Sequence, residues 1–134
     1  MEIKNRVVVG YKNGKRLKGF TFDFTPGKEI FHVTDPQDDR KITEVSTNDL
    51  KAVFCVKTFE GDRRRKSDYA LENLKKVPGL KLKVTFLDGE VLYGTTNGYT
   101  PGRRNFFLLP ADKNGNNERV CVFSDFARSI EPIP

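Results

Sequence analysis

Short segments of alternating hydrophobic and polar residues run along most of the chain, separated by stretches rich in Gly, Asn, Asp and Pro. Alternation with a period of two predicts β-strands that bury one face. In the first half the predicted strands are residues 7–11, 17–24, 30–33, 42–46 and 52–59. In the second half they are residues 84–86, 91–99, 105–109, 119–123 and 127–130. We therefore expect a mainly β protein.

The second half repeats the pattern of the first. Residues 7–31 align with residues 82–106, and the identical pairs are Val9/Val84, Gly14/Gly89, Leu17/Leu92, Gly19/Gly94, Thr21/Thr96, Thr25/Thr100, Pro26/Pro101, Gly27/Gly102 and Phe31/Phe106. With one extra residue in the second copy, residues 47–54 then align with residues 123–130. A tandem duplication explains such a match, so we expect one structural unit used twice.

The turns within each copy favour a small barrel. Asn13-Gly14 and Asp88-Gly89 are dipeptides typical of tight primed hairpin turns. Gly19 and Gly94 lie inside strands, where glycine often marks a bend or bulge. Five short strands, with a one-turn segment before the last, are typical of SH3-like or Sm-like barrels, whose closure removes exposed sheet edges. The predicted fold class is therefore mainly β, with two tandem five-stranded barrels.

Between the copies the periodicity changes to that of a helix. Residues 67–77 place Ala70, Leu71, Leu74 and Val77 on one helical face, and Pro78-Gly79 ends the segment. The predicted organisation is a first barrel at 1–57, a basic linker with a short helix at 58–79, and a second barrel at 80–134. Disorder is the other interpretation of the linker, because the stretch is short and charged.

The phrase FTPGKEIF at 24–31 returns as YTPGRRNF at 99–106. Nucleotide-cradling loops need several glycines at fixed spacing between a strand and a helix. Here a single glycine follows a proline, which lacks an N–H donor, and a strand comes next. The phrase therefore predicts a turn between the second and third strands of each copy.

Charge separates the two copies. The chain has 24 Lys and Arg against 18 Asp and Glu, for a net charge of +6. The candidate anion-binding residues are two clusters, Arg63, Arg64, Arg65 and Lys66 in the linker and Arg103 with Arg104 after the second turn phrase. Lys28-Glu29 occupies the equivalent place in the first copy and is neutral in sum, which favours an anionic ligand at the second copy. A solvated charge run is the other interpretation of the linker cluster.

The sequence contains no arrangement typical of catalysis. Its single histidine, His32, aligns with Phe107, which is typical of a packing position. Cys55 and Cys121 lie in apolar runs, and they are too few for a disulfide framework or a zinc site. No apolar run approaches the roughly 20 residues that cross a bilayer, and the start lacks a secretory leader. We expect a cytoplasmic protein that is not an enzyme, has no metal or cofactor, and does not contact membranes.

The stretches NGKRLKGFTFDFTPG, STNDLKAVFCVKTFEGD and DGEVLYGTTNGYTPGRRNFFLLPAD resemble an uncharacterised bacterial family of tandem small β-barrels. Members of that family occur alone or beside signalling domains. The resemblance covers most of the chain and implies the fold, with a signalling association, but no defined activity.

A looser resemblance is to PilZ domains, bacterial receptors for cyclic di-GMP. Their pattern sets an RxxxR segment before a barrel and [D/N]xSxxG at a strand end. Arg63–Lys66 precedes the second predicted barrel, and Asn97 begins the second motif, which runs to Gly102. The chain departs from the pattern at Ser67, where a second arginine is expected, and at Tyr99, where a serine is expected. This resemblance adds Asn97 to the candidate ligand-binding residues.

Three functions are consistent with these features. The first is a non-catalytic adaptor in bacterial signalling, whose barrels dock a protein partner or a regulatory domain. The second is a PilZ-like receptor for an anionic nucleotide such as cyclic di-GMP, using the two basic clusters. The third is nucleic-acid binding by Sm-like barrels, which the pI of about 9.4 favours and the modest net charge disfavours.

Overall fold

The computed structural model describes residues 4–60, 78–112 and 115–133. These residues form ten β-strands and two short 3₁₀ turns, at Thr47–Asp49 and Ser124–Phe126. The strands are β1 (Asn5–Tyr11), β2 (Arg16–Thr21), β3 (Ile30–Thr34), β4 (Ile42–Ser46), β5 (Leu50–Val56), β6 (Leu80–Phe86), β7 (Val91–Thr96), β8 (Asn105–Pro110), β9 (Asn117–Phe123) and β10 (Ala127–Pro132). The mainly β class is confirmed. The predicted linker helix at 67–77 and the cluster Arg63–Lys66 lie outside the described residues.

All ten described strands join one antiparallel sheet, in the order β10-β6-β7-β8-β9-β5-β1-β2-β3-β4. The halves meet where β5 pairs with β9, with Ala52 opposite Val122 and Phe54 opposite Val120. Within the described sheet, β4 and β10 are the end strands and do not pair with each other, so the sheet is not closed. The division into two barrels stays a prediction.

Two hydrophobic clusters form on opposite faces of the sheet at its centre. On β5 and β9, alternate side chains belong to different clusters because successive residues of a strand point to opposite faces. The first cluster contains Val7, Val9, Phe31, Val33, Val45, Leu50, Val53, Cys55, Cys121 and Phe123. The second contains Ala52, Leu82, Val84, Phe86, Phe106, Leu108, Val120 and Val122. Each half therefore contributes residues to the core of the other.

Strand pairing gives the correspondence between the halves residue by residue. Tyr11 pairs with Leu50 in the first half, and Phe86 pairs with Ala127 in the second. Both pairings are followed by an irregularity that skips one residue, Lys51 and Arg128 respectively. Leu50 thus corresponds to Ala127, whereas the sequence alignment placed it opposite Phe126. That alignment is wrong from the 3₁₀ turn onward, because the second half gains two residues rather than one before this point.

The hairpin turns differ from the predicted primed type. Within the two hairpin turns only Gly14 and Gly89 have positive φ, at 90° and 94°, and no described non-glycine residue does. Gly14 N–H donates to Tyr11 C=O, and Tyr11 N–H donates to Lys15 C=O, both at 3.0 Å. This is a three-residue loop in which a type I turn is followed by a left-handed glycine. Its single left-handed position explains why Asn13 needs no positive φ.

Gly19 and Gly94 lie where two backbones approach closely. A Cβ on Gly19 would lie 2.3 Å from the carbonyl oxygen of Thr34, and a Cβ on Gly94 would lie 2.3 Å from that of Leu109. No side chain fits at this distance, so the β2–β3 and β7–β8 crossings both require glycine. The pairing of β1 with β2 and of β6 with β7 is regular through these glycines, so the predicted bend or bulge stays a prediction and the close approach is what requires glycine.

No helix among the described residues is long and apolar enough to cross a membrane. Cys55 and Cys121 are free thiols, both buried. Burial raises the pKa of both thiols, that of Cys121 to about 12, which keeps them protonated at neutral pH.

Candidate functional site

Two of the predicted ligand-binding residues, Asn97 and Arg103, line the same open cleft in the second half. The cleft has a volume of about 590 Å³. It lies beside the ends of β7 and β8 and takes one residue, Arg119, from β9. We call it the arginine cleft. Its other described lining residues are Pro26, Pro78, Thr95, Thr96, Gly98, Phe106, Phe107 and Leu109.

The loop after β7 sets the position of Asn97. Gly98 N–H donates to Thr96 Oγ1 at 3.2 Å, which turns the chain at once after the strand. Gly79 has φ of 107°, and a Cβ there would lie 3.1 Å from Asn97 Oδ1. Asn97 is therefore held over a glycine that supplies both the backbone conformation and the space.

The second Thr-Pro-Gly turn positions Arg103. Arg103 N–H donates to Thr100 C=O at 3.0 Å, and Gly102 has φ of 90°. Proline followed by a left-handed glycine is the pattern of a type II turn. Arg103 Nε then donates to Asn105 C=O at 2.9 Å, which leaves the rest of the guanidinium group facing the cleft. The predicted turn function of this phrase is confirmed.

Arg119 is the cleft residue that the sequence reasoning missed. Its guanidinium carbon lies 4.6 Å from the centre of the Phe107 ring, a cation–π distance. On β9 it has the same parity as Cys121 and Phe123, which are buried in the first cluster. The sequence did contain one indication: Arg119 has the same alternation as the buried residues of β9, a position where arginine is unusual.

The two guanidinium groups act on the same region. Burial is the main influence on the pKa of Cys121 and raises it, while the charges of Arg119 and Arg103 both act to lower it. Both charges therefore reach the same thiol. Among the described residues that line the cleft there is no carboxylate, so its field is positive.

At the aligned position in the first half, the charge of Lys28 is neutralised by the nearby carboxylate of Asp23. Asp23 Oδ2 lies 2.8 Å from His32 Nδ1 and 3.4 Å from Lys28 Nζ, and Asp23 Oδ1 accepts from His32 N–H at 3.0 Å. Partial burial opposes ionisation of Asp23, but these hydrogen bonds outweigh it and hold its pKa at about 2. His32 is about half exposed and contacts Asp23, so the expectation that it is a packing residue is wrong.

The second half has Gly98 where the first has Asp23. A Cβ on Gly98 would lie 3.7 Å from Arg103 Nη1, so an aspartate here could reach the guanidinium group. Arg103 takes the place of Lys28 without the carboxylate that neutralises Lys28. The difference between the copies that the sequence located at Arg103-Arg104 therefore rests equally on Gly98.

Arg104 faces a different direction from Arg103. Its side chain donates to Asn48 Oδ1, and its carbonyl accepts from Ser124 N–H at 2.8 Å. Nearby, Asn105 Nδ2 donates to Pro26 C=O at 2.8 Å. These contacts join the second half to the first half beside the cleft, so Arg104 connects the halves while Arg103 lines the cleft.

The chain matches one family along nearly its whole length. A model described as a family of unknown function (DUF6982) matches residues 3–132. The chain belongs to this family. No curated protein and no solved structure matches this DUF6982 chain. Its membership agrees with the expected uncharacterised family, while a bacterial source and an association with signalling stay predictions.

The described part of this DUF6982 protein contains no group of three or more His, Cys, Asp or Glu side chains arranged to hold a metal ion.

Proposed function

We propose that this protein is a non-catalytic binding module whose arginine cleft holds a small anionic ligand. One observation carries the proposal: two guanidinium groups border an apolar floor, and no described lining residue is a carboxylate. Arginine offers a planar array of donors that matches phosphate in a bidentate way. Phosphate is therefore the anion that we expect.

The floor and walls favour a phosphate that carries a flat group. Phe107 and Leu109 supply apolar surface, and Asn97 can donate to and accept from a ring edge. A volume of about 590 Å³ lies within the usual range for small-molecule sites of roughly 300–1,000 Å³. A nucleotide fits this description, and cyclic di-GMP, suggested by the PilZ resemblance, is one candidate among nucleotides.

We propose further that the two halves are a duplicated five-stranded unit of the SH3-like or Sm-like kind. The shared strand order and the shared skipped residue in β5 and β10 support it. Pro26, from the first half, lines a cleft built mainly by the second. A ligand would then contact both halves, which is the arrangement that an adaptor in signalling could use to pass a binding event to a protein partner.

Titration calorimetry with cyclic di-GMP, GTP and inorganic phosphate tests the cleft. We expect at least one nucleotide to bind, and Gly98→Asp to weaken it at least tenfold, because the new carboxylate would neutralise Arg103 as Asp23 neutralises Lys28. Arg103→Ala should weaken binding by a similar factor. Arg104→Ala removes an equal charge one residue away and should change affinity by less than threefold.

Absence of heat with every nucleotide at high micromolar concentration would overturn the anionic-ligand proposal. Equal losses in Arg103→Ala and Arg104→Ala would also count against the cleft, because they would indicate a diffuse charge effect. Thermal melting of each variant separates lost binding from lost folding.

A further inference from the structure

A second basic surface lies on the outer face of β1 and β2, away from the arginine cleft. Arg6 pairs with Phe20 across these strands, Val8 with Lys18, and Gly10 with Arg16. Directly paired residues point to the same face of a sheet. This face is opposite the one on which Val7 and Val9 enter the first cluster. We call it the basic face, and its exposed cations are Lys4, Arg6, Arg16 and Lys18.

Among the described residues, no carboxylate neutralises these four cations. Within the described residues, none of them lies within ion-pair distance of an Asp or Glu. Arg6 Nη1 and Lys18 Nζ instead donate to the backbone carbonyls of Lys57 and Phe59, at 2.5 and 2.9 Å. Such neutral acceptors leave the positive charge available to a polyanion.

Aromatic rings alternate with these charges. Lys4 Nζ lies 3.8 Å from the centre of the Phe20 ring, and Arg6 lies 5.7 and 5.6 Å from the Phe20 and Phe59 rings. Phe20 and Phe59 pack edge to face at 5.3 Å. Phe22 is 46% exposed, although burial of a phenylalanine side chain is strongly favoured. Phe20 and Phe59 are partly buried, so Phe22 is the exposed ring of this surface. An exposed aromatic ring beside cations offers a stacking surface for a base next to contacts for phosphates.

A groove continues the basic face on one side. It has a volume of about 750 Å³ and runs between Phe20, Phe22 and the turn at residues 35–40. The far wall holds Asp35, Asp38 and Asp39 together with Arg40, whose Nε lies 3.5 Å from Asp38 Oδ1. Its carboxylates outnumber its one arginine, so the wall repels phosphate but suits the amino donors of nucleobase edges. The cations and the aromatic rings lie on the basic face, and the carboxylates lie across the groove. This arrangement suits a strand whose phosphates lie along the cations and whose bases turn toward Phe22 and the groove.

We propose that the basic face with this groove binds single-stranded nucleic acid, with phosphates along Arg6, Arg16 and Lys18 and a base stacked on Phe22. A simple polyanion would need the cations but not the exposed ring of Phe22. An acidic protein segment would be repelled by the carboxylates of the groove. Nucleic acid makes use of the cations, the ring and the carboxylates. The site is separate from the arginine cleft, so either can fail without the other.

Fluorescence anisotropy with a labelled single-stranded DNA of about twelve nucleotides tests the proposal on the full chain. The double variant Arg16→Glu with Lys18→Glu should weaken binding at least tenfold and flatten its salt dependence. The double variant Arg128→Glu with Lys83→Glu makes the same charge change on the second half, and we expect less than a threefold loss. Gly98→Asp, in the cleft, should leave DNA binding unchanged.

Phe22→Ala separates nucleic acid from other polyanions. It should weaken DNA binding about fivefold or more, because a stacked base is lost, and leave binding to heparin and polyglutamate unchanged. Equal losses for DNA and heparin would overturn the base-stacking role and favour a generic polyanion surface. Tighter binding of polyglutamate than of DNA would favour an acidic protein partner and overturn the proposal.

The linker cluster needs its own control. In a chain with residues 63–66 changed to alanine, the basic face should still bind DNA, and Arg16→Glu with Lys18→Glu should still weaken it. The variant with residues 63–66 changed to alanine could lose all affinity for DNA while Arg16→Glu with Lys18→Glu binds normally. In that case the site lies in the linker and the proposal is wrong.

Discussion

Asp23 and Gly98 occupy aligned positions in the two halves, and this difference contributes to the different charge of the two places. The aspartate contacts Lys28 and His32 within 3.4 Å, so the first half contains its own counter-ion. Among the residues that the structure describes, no carboxylate pairs with Arg103 in this way. The proposed anion site depends on this difference.

The Asp23 contact should be visible in the pH dependence of stability. Its pKa in the fold is about 2, below the ordinary value of 3.8, so the ionised form is favoured by folding. The contribution is therefore present above about pH 4 and is lost as the pH falls toward 2. Because the side chains are partly exposed, we expect Asp23→Asn to cost about 1 kcal/mol at neutral pH.

Urea unfolding at a series of pH values measures this effect. The Asp23→Asn protein should lose less stability between pH 4 and pH 2 than the parent protein does. Asp39→Asn removes an exposed carboxylate from the turn before β4 and serves as the control. A parent and an Asp23→Asn protein with parallel pH profiles would contradict the assignment.

Lys51 connects the two halves, although the hydrophobic pattern of the sequence did not predict a role for it. Its ammonium group is buried and lies 2.6 Å from both Asp88 Oδ2 and Glu90 Oε1, in the hairpin between β6 and β7. It also lies 4.8 Å from the centre of the Phe86 ring. Partial burial opposes ionisation of Asp88, but its hydrogen bond from Lys51 lowers its pKa. The strand irregularity at Lys51 lets this side chain reach the other half.

At the scale of the element, the sheet depends on the close crossings at Gly19 and Gly94. We expect Gly94→Ala to destabilise the protein by about 2–4 kcal/mol, because the added methyl would overlap the Leu109 carbonyl oxygen and the backbones would have to separate. Chemical denaturation followed by circular dichroism measures it.

Gly27→Ala is the matched control for Gly94→Ala. Gly27 has no atom within 4 Å of its missing Cβ and no positive φ, so alanine fits there and stability should change by about 0.5 kcal/mol or less. Similar stabilities of Gly94→Ala and Gly27→Ala would contradict the close crossing.

The end strand β4 carries polar residues at positions where the central strand β9 carries buried apolar residues. By the pairing, Cys121 and Phe123 of β9 correspond to Glu44 and Ser46 of β4, and neither of the latter is buried. β10 ends in Pro132, which has no N–H to offer a further strand. Polar residues and proline on end strands discourage addition of another copy. We therefore expect the β5–β9 pairing to form within one chain, without further strand pairing between chains at β4 or β10.

At the scale of the whole molecule, the shared cores predict that the halves are not independent. Residues 1–60 alone would expose Ala52 and Phe54, and residues 78–134 alone would expose Cys121 and Phe123. We expect each fragment by itself to be unfolded or aggregated, and an equimolar mixture to regain β structure. Circular dichroism with size-exclusion chromatography measures both. A fragment that melts cooperatively as a monomer would contradict the shared cores.

Local patterning predicted the positions of the strands and of the turns, but not the type of the hairpin turns. Alternation identified each described strand to within a few residues, because a half-buried strand needs one apolar face. It was less informative for β5 and β9, whose runs such as Val120-Cys121-Val122-Phe123 are apolar throughout. Such a run indicates a strand buried on both faces, but not which elements cover each face.

The candidate site was predicted in part. Asn97 came from a family pattern and Arg103 from comparing the copies, and both line the cleft. Arg119 could not be ranked above other strand arginines, since its approach to Phe107 depends on the β8–β9 register. Arg104 shares the charge of its neighbour, but successive side chains diverge, and a contact with Asn48 decided its direction.

Local sequence was enough to predict the mainly β class, the succession of strands along the chain, the two Thr-Pro-Gly turns and the pair of arginines after the second of them. These depend on local periodicity and on glycine and proline at fixed positions, and neighbouring residues are enough to specify them. The pairing of β5 with β9, which joins the halves into one open sheet, became visible only in the folded structure. The tertiary structure alone brought Arg103, Arg119 and Asn97 to one cleft, because pairing between strands far apart in the chain sets which side chains meet.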